Sequence, residues 1–381
     1  MLASQRDLFD IPRDICYLNS ASYSPLPRRT QEAARAAVGR KGAPWTLDAA
    51  FANRQHERAR AAAARLINAD ASDVALVSSV SYGVATVGKI LSIPPGMRVL
   101  TLENDHSSPI LEWQTRAASA GFTIETVRQP PDGDWTSAVM AAIERPGAAR
   151  LALASISSVH WSDGGLIDVV KVGAALKRQS ALFLIDATHA VGVLAMDVKS
   201  LDPDFVIFPT YKWLIGPYGR AFIYMAKRHQ NGIPLEQTGF GRRAVRSEAE
   251  VYFADVGYVP GARRFDMGER DHFISMEMAA IGMEMMAEWG TEAVLARLAM
   301  LNERIAEGLS GSKVRLMETR FRSPHILSLG FAGGLPAGLV EGLAGEGVYV
   351  APRLSRMRIS PHVFNDEEDA DRFVAALKKR L

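Results

Sequence analysis

Cysteine is almost missing from this chain: Cys16 is the only one in 381 residues. One thiol excludes an intrachain disulfide framework and a Cys-based metal site. Charge of one sign is missing too. Lys and Arg number 44 against 42 Asp and Glu, a formal net charge of +2. That balance gives no electrostatic case for nucleic acid or an anionic membrane surface. No apolar run reaches ~18 residues without a charge, so no membrane-spanning helix is expected. Residues 1–7 carry neither the charged nor the apolar region of a secretory signal. No G-x-x-x-x-G-K-[ST] segment occurs, which argues against a P-loop nucleotide enzyme. Internal repeats and low-complexity stretches are absent. A cytoplasmic protein is the expectation.

Apolar residues are plentiful, at 48% of the chain, enough for a substantial core. The length suits one large or two ordinary domains. Short apolar runs at 73–77, 98–102, 122–127, 150–155, 181–185, 205–208 and 221–225 read as strands. Helical patterns at 50–67, 82–91, 108–120 and 135–144 lie between the earlier ones. Strands separated by helices predict an α/β fold, a mainly parallel seven-stranded sheet sandwiched by helices. The pattern changes after about residue 226. Residues 227–268 read as irregular and rich in Gly and Arg. A methionine-rich helix at 274–289 reads as core or interface packing. Another helix at 292–309 follows, then short strands at 326–329, 348–350 and 357–359 and a closing helix at 367–379. The chain divides into a large domain, 16–258, and a smaller α+β C-terminal domain, 259–381 with 1–15.

In open α/β sheets, ligands bind beyond the carboxyl ends of the strands. Asp186 and Lys212 each follow such a strand. A lysine and a carboxylate at the same sheet end suit pyridoxal phosphate, whose aldehyde condenses with a lysine and whose ring nitrogen needs an acidic partner. Lys212 sits between Tyr211 and Trp213, before a Gly-Pro-Tyr-Gly turn, an odd setting for a solvated lysine. Burial would lower its pKa and make it a usable nucleophile and base. Ser79, Val80 and Ser81 open a helix after a strand, an anion site made of free N–H groups and hydroxyls. Thr210 could add its hydroxyl to the same phosphate. His106 could stack on the ring, and His189 could reach its hydroxyl. Trp161 could line the pocket. Arg358 could clamp a substrate carboxylate bidentately; Arg353 and Arg356 are weaker candidates. Arg242, Arg243 and Arg270 serve either substrate or a neighbouring subunit.

These segments together resemble the class V aminotransferase family of fold type I pyridoxal phosphate enzymes. The family includes cysteine desulfurases, isopenicillin N epimerase and kynureninase. The resemblance spans 17–27, 79–83, 105–106, 158–164, 186–192, 210–219 and 358–365, and the Lys212 segment is the most specific. It implies Lys212 as the Schiff-base lysine, Asp186 as the pyridinium partner, His106 as the stacking residue and His189 as a polar neighbour. It puts Ser81, with Tyr211 nearby, on the cofactor side. Asn19, Ser20, Ala21 and Arg358 fall on the substrate side. A homodimer with its site at the subunit interface is expected.

Some positions depart from the pattern. Trp161 stands where Asn is frequent, and Val80 where Thr is frequent. Glu269 lies where many relatives place a Thr that reaches the neighbouring phosphate, which leaves Arg270 as the replacement. The loop before the final strands carries no cysteine, so a desulfurase working through its own thiolate is not expected. The expected activity is amino-group exchange between an amino acid or amine and an oxo acid, with Cβ elimination or epimerisation as alternatives. All begin with proton loss at Cα.

Overall fold

The computed structural model describes residues 2–381. Its main sheet has seven strands: β1 Val74–Val77, β2 Arg98–Leu102, β3 Thr123–Val127, β4 Leu151–Ser157, β5 Leu182–Asp186, β6 Phe205–Pro209 and β7 Ala221–Met225. Their order is β1-β7-β6-β5-β4-β2-β3. Every neighbouring pair is parallel except those made by β7, which runs antiparallel to β1 and β6. The sheet is mixed and mainly parallel. Its central strands read as unbroken apolar runs because helices cover both faces. All residues of β1, β2, β4, β6 and β7 are buried.

Four helices fix the site and its support: α1 Ala49–Leu66, α2 Val80–Ile90, α3 Ser107–Ala120 and α4 Phe273–Trp289. Helix α2 lies tight on the sheet. A Cβ on Gly83 would come within 3.0 Å of the Ile207 side chain on β6. The methionines of α4 at 276, 278, 283, 285 and 286 are buried, as expected of packing residues.

A second sheet has three antiparallel strands, β8 Leu327–Leu329, β9 Ala351–Arg353 and β10 Arg356–Ile359, with β10 in the middle. It packs with its own apolar cluster around Leu301, Leu343 and Phe373. The chain start packs into the same cluster: Cys16–Tyr17 pairs in parallel with Val348–Tyr349 as a separate two-stranded sheet. The irregular reading of 227–268 needs correction. Arg242–Val245 and Phe253–Tyr258 form an antiparallel hairpin with two register shifts. Among the described residues, no helix is long and apolar enough to cross a membrane.

Candidate active site

Strand β6 ends at Pro209, and the chain then closes a tight loop. Gly216 N donates to Thr210 O at 2.9 Å, and Thr210 N to Arg220 O at 3.0 Å. The Thr210 hydroxyl donates to Pro217 O at 2.7 Å. A Cβ on Gly216 would fall 2.8 Å from Thr210 Cβ, so the loop needs glycine there. Ile215, β-branched, is held at φ 45°, a strained conformation close to the chemistry. The loop aims Lys212 into a cavity of ≈ 160 Å³ at the carboxyl ends of β1, β2, β4, β5 and β6. Thr210 is not on the cavity wall. Its hydroxyl proton is used to close the loop.

Lys212 is 6% exposed. Burial, and next the charge of Arg358, pull its amine down to about 7. Its Nζ lies 3.3 Å from His189 Nε2. On the other side of that ring, the Trp213 indole donates to His189 Nδ1 at 3.0 Å. An indole only donates, so Nδ1 carries a lone pair and the imidazole proton sits on Nε2. Nε2–H then needs an acceptor, and only a neutral lysine amine offers one. Burial holds His189 well below its ordinary pKa, consistent with a neutral ring. Trp213→Phe frees Nδ1 and lets the proton change sides; Nε2 can then accept from an ammonium. The variant is expected to raise the Lys212 pKa and lose about 1–3 kcal/mol of stability. The pH dependence of the reaction of cofactor-free protein with pyridoxal phosphate measures the first effect. An unshifted profile would refute the tautomer argument.

The Lys212 shift also sets a pH dependence. From pH about 7 to 10.5, the unfolded cofactor-free chain binds a proton on Lys212 that the folded chain does not. This contribution to stability therefore rises with pH across that window and is flat below it. Urea midpoints of the parent against Lys212→Met report it as a steeper rise with pH in the parent than in the variant.

Asp186 ends β5, buried, and accepts from Thr188 N at 2.9 Å. Among the described residues, no ion pair neutralises its carboxylate. Across the cavity, helix α2 begins. Ser79 caps it by accepting from Tyr82 N at 3.1 Å. The first N–H groups of a helix have no partner within it, so Val80 and Ser81 present donors there. Ser81 Oγ lies 3.0 Å from Ser108 Oγ, which in turn is 3.3 Å from His106 Nδ1. Arg220 lines the same end; its Nε donates to Ser275 Oγ, and burial lowers its pKa to about 10. The donor set fits pyridoxal phosphate. There is a neutral-capable amine for the aldehyde, an unpaired buried carboxylate for the ring nitrogen, and N–H groups, hydroxyls and a guanidinium for the phosphate.

His106 stands at the wall, edge-on to Trp161 with ring centroids 6.1 Å apart. Asp105 sets its backbone by accepting from His106 N at 2.7 Å and from Ser157 Oγ at 2.8 Å. Burial pushes Asp105 up to about 6. Trp161 is tied to Asn104 O at 2.6 Å. Its loop hangs on Asp163, which accepts from Gln129, Trp135 and Gly165 N.

Tyr211 packs at a tilt against Tyr218, ring centroids 4.1 Å apart, and Tyr23 packs on both. These rings stand by a second hollow that holds Ala21, Ser22, Arg353 and Arg358. The N-terminal segment enters by backbone pairing: Ser20 N donates to Ser360 O, and Ser360 N to Leu18 O. Of Asn19, Ser20 and Ala21, only Ala21 borders the hollow. The Ser20 side chain is buried without a partner, and Asn19 accepts from Ser22 Oγ. Ser22 is the residue that reaches the arginines.

Arg270 is not brought to this cavity. It pairs with Asp266, and its guanidinium lies 4.9 Å from the Phe240 ring centroid. Arg242 and Arg243 serve the hairpin: Arg242 sits 4.0 Å over Tyr258, and Arg243 pairs with Asp255 at 2.7 Å. Arg356 donates to Ser328 Oγ. Sequence reasoning placed Asp105 at a strand end without giving it a role, and passed over Ser22, Ser108, Tyr218 and Arg220. Ser108 lies two residues from the chosen His106, so strand-end position could have found it. Ser22 and Arg220 carried no such signal.

The family model described as Aminotransferase class-V matches residues 16–373. A protein of Pyrococcus abyssi named probable cysteine desulfurase is 24% identical over 346 residues, covering 86% of this chain and 84% of its own length. Isopenicillin N epimerase of Streptomyces clavuligerus is 24% identical over 375 residues, covering 94% and 93%. The solved structure of a C-DES mutant, with glycine covalently linked to its PLP cofactor, superposes with a TM-score of 0.86 at 20% identity over 98% of both chains.

Proposed function

Because this chain belongs to the class V aminotransferase family and depends on pyridoxal phosphate, we propose that it is an aminotransferase acting on an amino acid or amine. Lys212 carries this reading: a buried amine pulled down to about 7, so that the free base is well populated at neutral pH, beside a neutral imidazole, with no thiol at the site. Bound here, the cofactor supplies an electron-withdrawing ring that spreads negative charge developing at the substrate Cα.

The protein supplies the rest. Arg358 anchors the α-carboxylate. Lys212 Nζ takes the proton from Cα, and His189 Nε2–H holds the amine in place between proton transfers. Asp186 balances the positive ring nitrogen. Val80 N, Ser81 and Arg220 hold the phosphate at the start of α2. His106 and Trp161 form the wall that excludes water from one face. Cys16 cannot take part. It is buried in the other apolar cluster, its Sγ faces Asp369 O at 3.2 Å, and burial pushes its thiol pKa far up. A desulfurase reaction through the chain's own thiolate therefore has no place here, although several relatives bear that name.

Epimerisation is the second reading, favoured by the epimerase match along 94% of the chain. Products decide between them. Incubation with an amino acid and an oxo acid in D2O is expected to give the exchanged pair. Inverted, Cα-deuterated amino acid without exchange would overturn the aminotransferase reading, and so would pyruvate with a released leaving group.

A further inference from the structure

Two guanidinium groups meet at the substrate end of the site, and neither forms an ion pair among the described residues. Arg358 is 1% exposed. It gives Nη1 to Trp161 O at 2.7 Å and Nη2 to Ser22 Oγ at 2.8 Å. Arg353 gives Nη1 to Pro352 O at 2.7 Å and Nη2 to the same Ser22 Oγ. Its guanidinium lies 5.7 Å from the Trp161 ring centroid, which orients it by a cation–π contact. The Nε of each is buried with no acceptor. These are donors still lacking partners, and buried donors without acceptors are costly.

A substrate α-carboxylate cancels one positive charge and takes one set of donors. The second guanidinium is left facing the same hollow. Lys212 brings no negative charge to compensate it, since it is either an ammonium or a free amine, and Asp186 is assigned to the cofactor. Arg358 is already pulled down to about 9, first by burial and next by the like charge of Arg353. An anion between the two arginines relieves that repulsion. Both guanidiniums reach one hydroxyl oxygen and both line the hollow, so their charges lie close together and suit two acidic groups joined by a short linker.

We propose that the substrate is an acidic amino acid with its second acidic group close to Cα, an aspartate- or glutamate-like molecule, and that Arg353 selects that group while Arg358 holds the α-carboxylate. The inference rests on the amino-acid reading of the site. It adds Arg353 as a specificity residue and Ser22 as the hydroxyl that spaces the two cations before substrate arrives.

Binding tests it without turnover. Calorimetry of the cofactor-loaded protein with succinate, glutarate and butyrate is expected to show the diacids binding about 10–100-fold tighter than the monoacid. Arg353→Met removes that preference: it weakens the diacids by a similar factor and butyrate by no more than about 3-fold. With aspartate or glutamate as donor, the same variant raises KM far more than it lowers kcat; with alanine it does neither to a comparable extent. Equal binding of succinate and butyrate overturns the proposal, and so does equal weakening of both by Arg353→Met. Diacid preference without any amino exchange leaves this inference standing and overturns the aminotransferase reading instead.

Discussion

Lys212→Ala protein, purified with its cofactor, loses turnover by roughly 10²–10⁴-fold or more, the range for removing a positioned proton-transfer group. The loss comes from the amine, not from the fold. The loop that carries Lys212 is closed by Thr210, Gly216 and Pro217, and none of those bonds uses the lysine side chain. The variant is expected to unfold at a urea midpoint close to the parent's at pH 7. Lys212→Arg does not rescue activity, since a guanidinium cannot become a neutral amine near pH 7. Borohydride reduction followed by peptide mapping gives a second readout. It should fix the cofactor on the peptide containing Lys212 in the parent and on none in Lys212→Ala. Turnover above about a tenth of the parent's would show that another group moves the Cα proton.

Asp266→Ala costs about 3–5 kcal/mol, because it strips a buried arginine of its two-pronged partner and leaves it only the half-exposed Glu57 at 3.1 Å. The carboxylate accepts from Arg60 Nη2 at 2.7 Å and Nη1 at 3.0 Å, and from Leu76 N at 2.9 Å. Neither side chain of the Arg60–Asp266 pair is exposed. Arg60 also reaches Val74 O at 2.5 Å. The pair therefore pins helix α1 and the segment at 262–266 to strand β1, whose end carries the Ser79 cap. Denaturant midpoints measure the loss. Arg60→Met combined with Asp266→Leu recovers part of it by removing the buried arginine with its carboxylate, but not all, since Arg270 also loses its partner. Val74 O and Leu76 N then lose partners that no apolar side chain replaces. A single variant within about 1 kcal/mol of the parent would mean that water reaches the pair.

Where the sequence spoke clearly, the reason was burial on both faces. Strands β5 and β6 are nearly unbroken apolar runs, so their ends, and hence Asp186 and Lys212, could be located to within a residue or two. The hairpin at 242–258 was not readable. Its register shifts, and large side chains such as Tyr252 and Phe253 are exposed, so no alternation marks a core face. Helix Arg28–Lys41 buries only Thr30 and Ala37, too faint a stripe to detect. Thr210 shows a different limit. Its position after a strand suggested a ligand, but only the folded loop reveals that its proton goes to Pro217. Ser22 shows a third, since its partners lie at the far end of the chain.

That last contact has a consequence for how the protein is made. Ser22 and Arg358 are 336 residues apart. Strand β7, the last of its sheet to be synthesised, sits between β1 and β6. The phosphate end of the site cannot assemble before residue 225 has emerged from the ribosome, and the substrate end cannot close until Arg358 has followed. Closing such distant contacts is slow and entropically costly. A nascent chain stalled short of β10 can thus own its lysine and its cofactor cradle while having no place to grip a substrate.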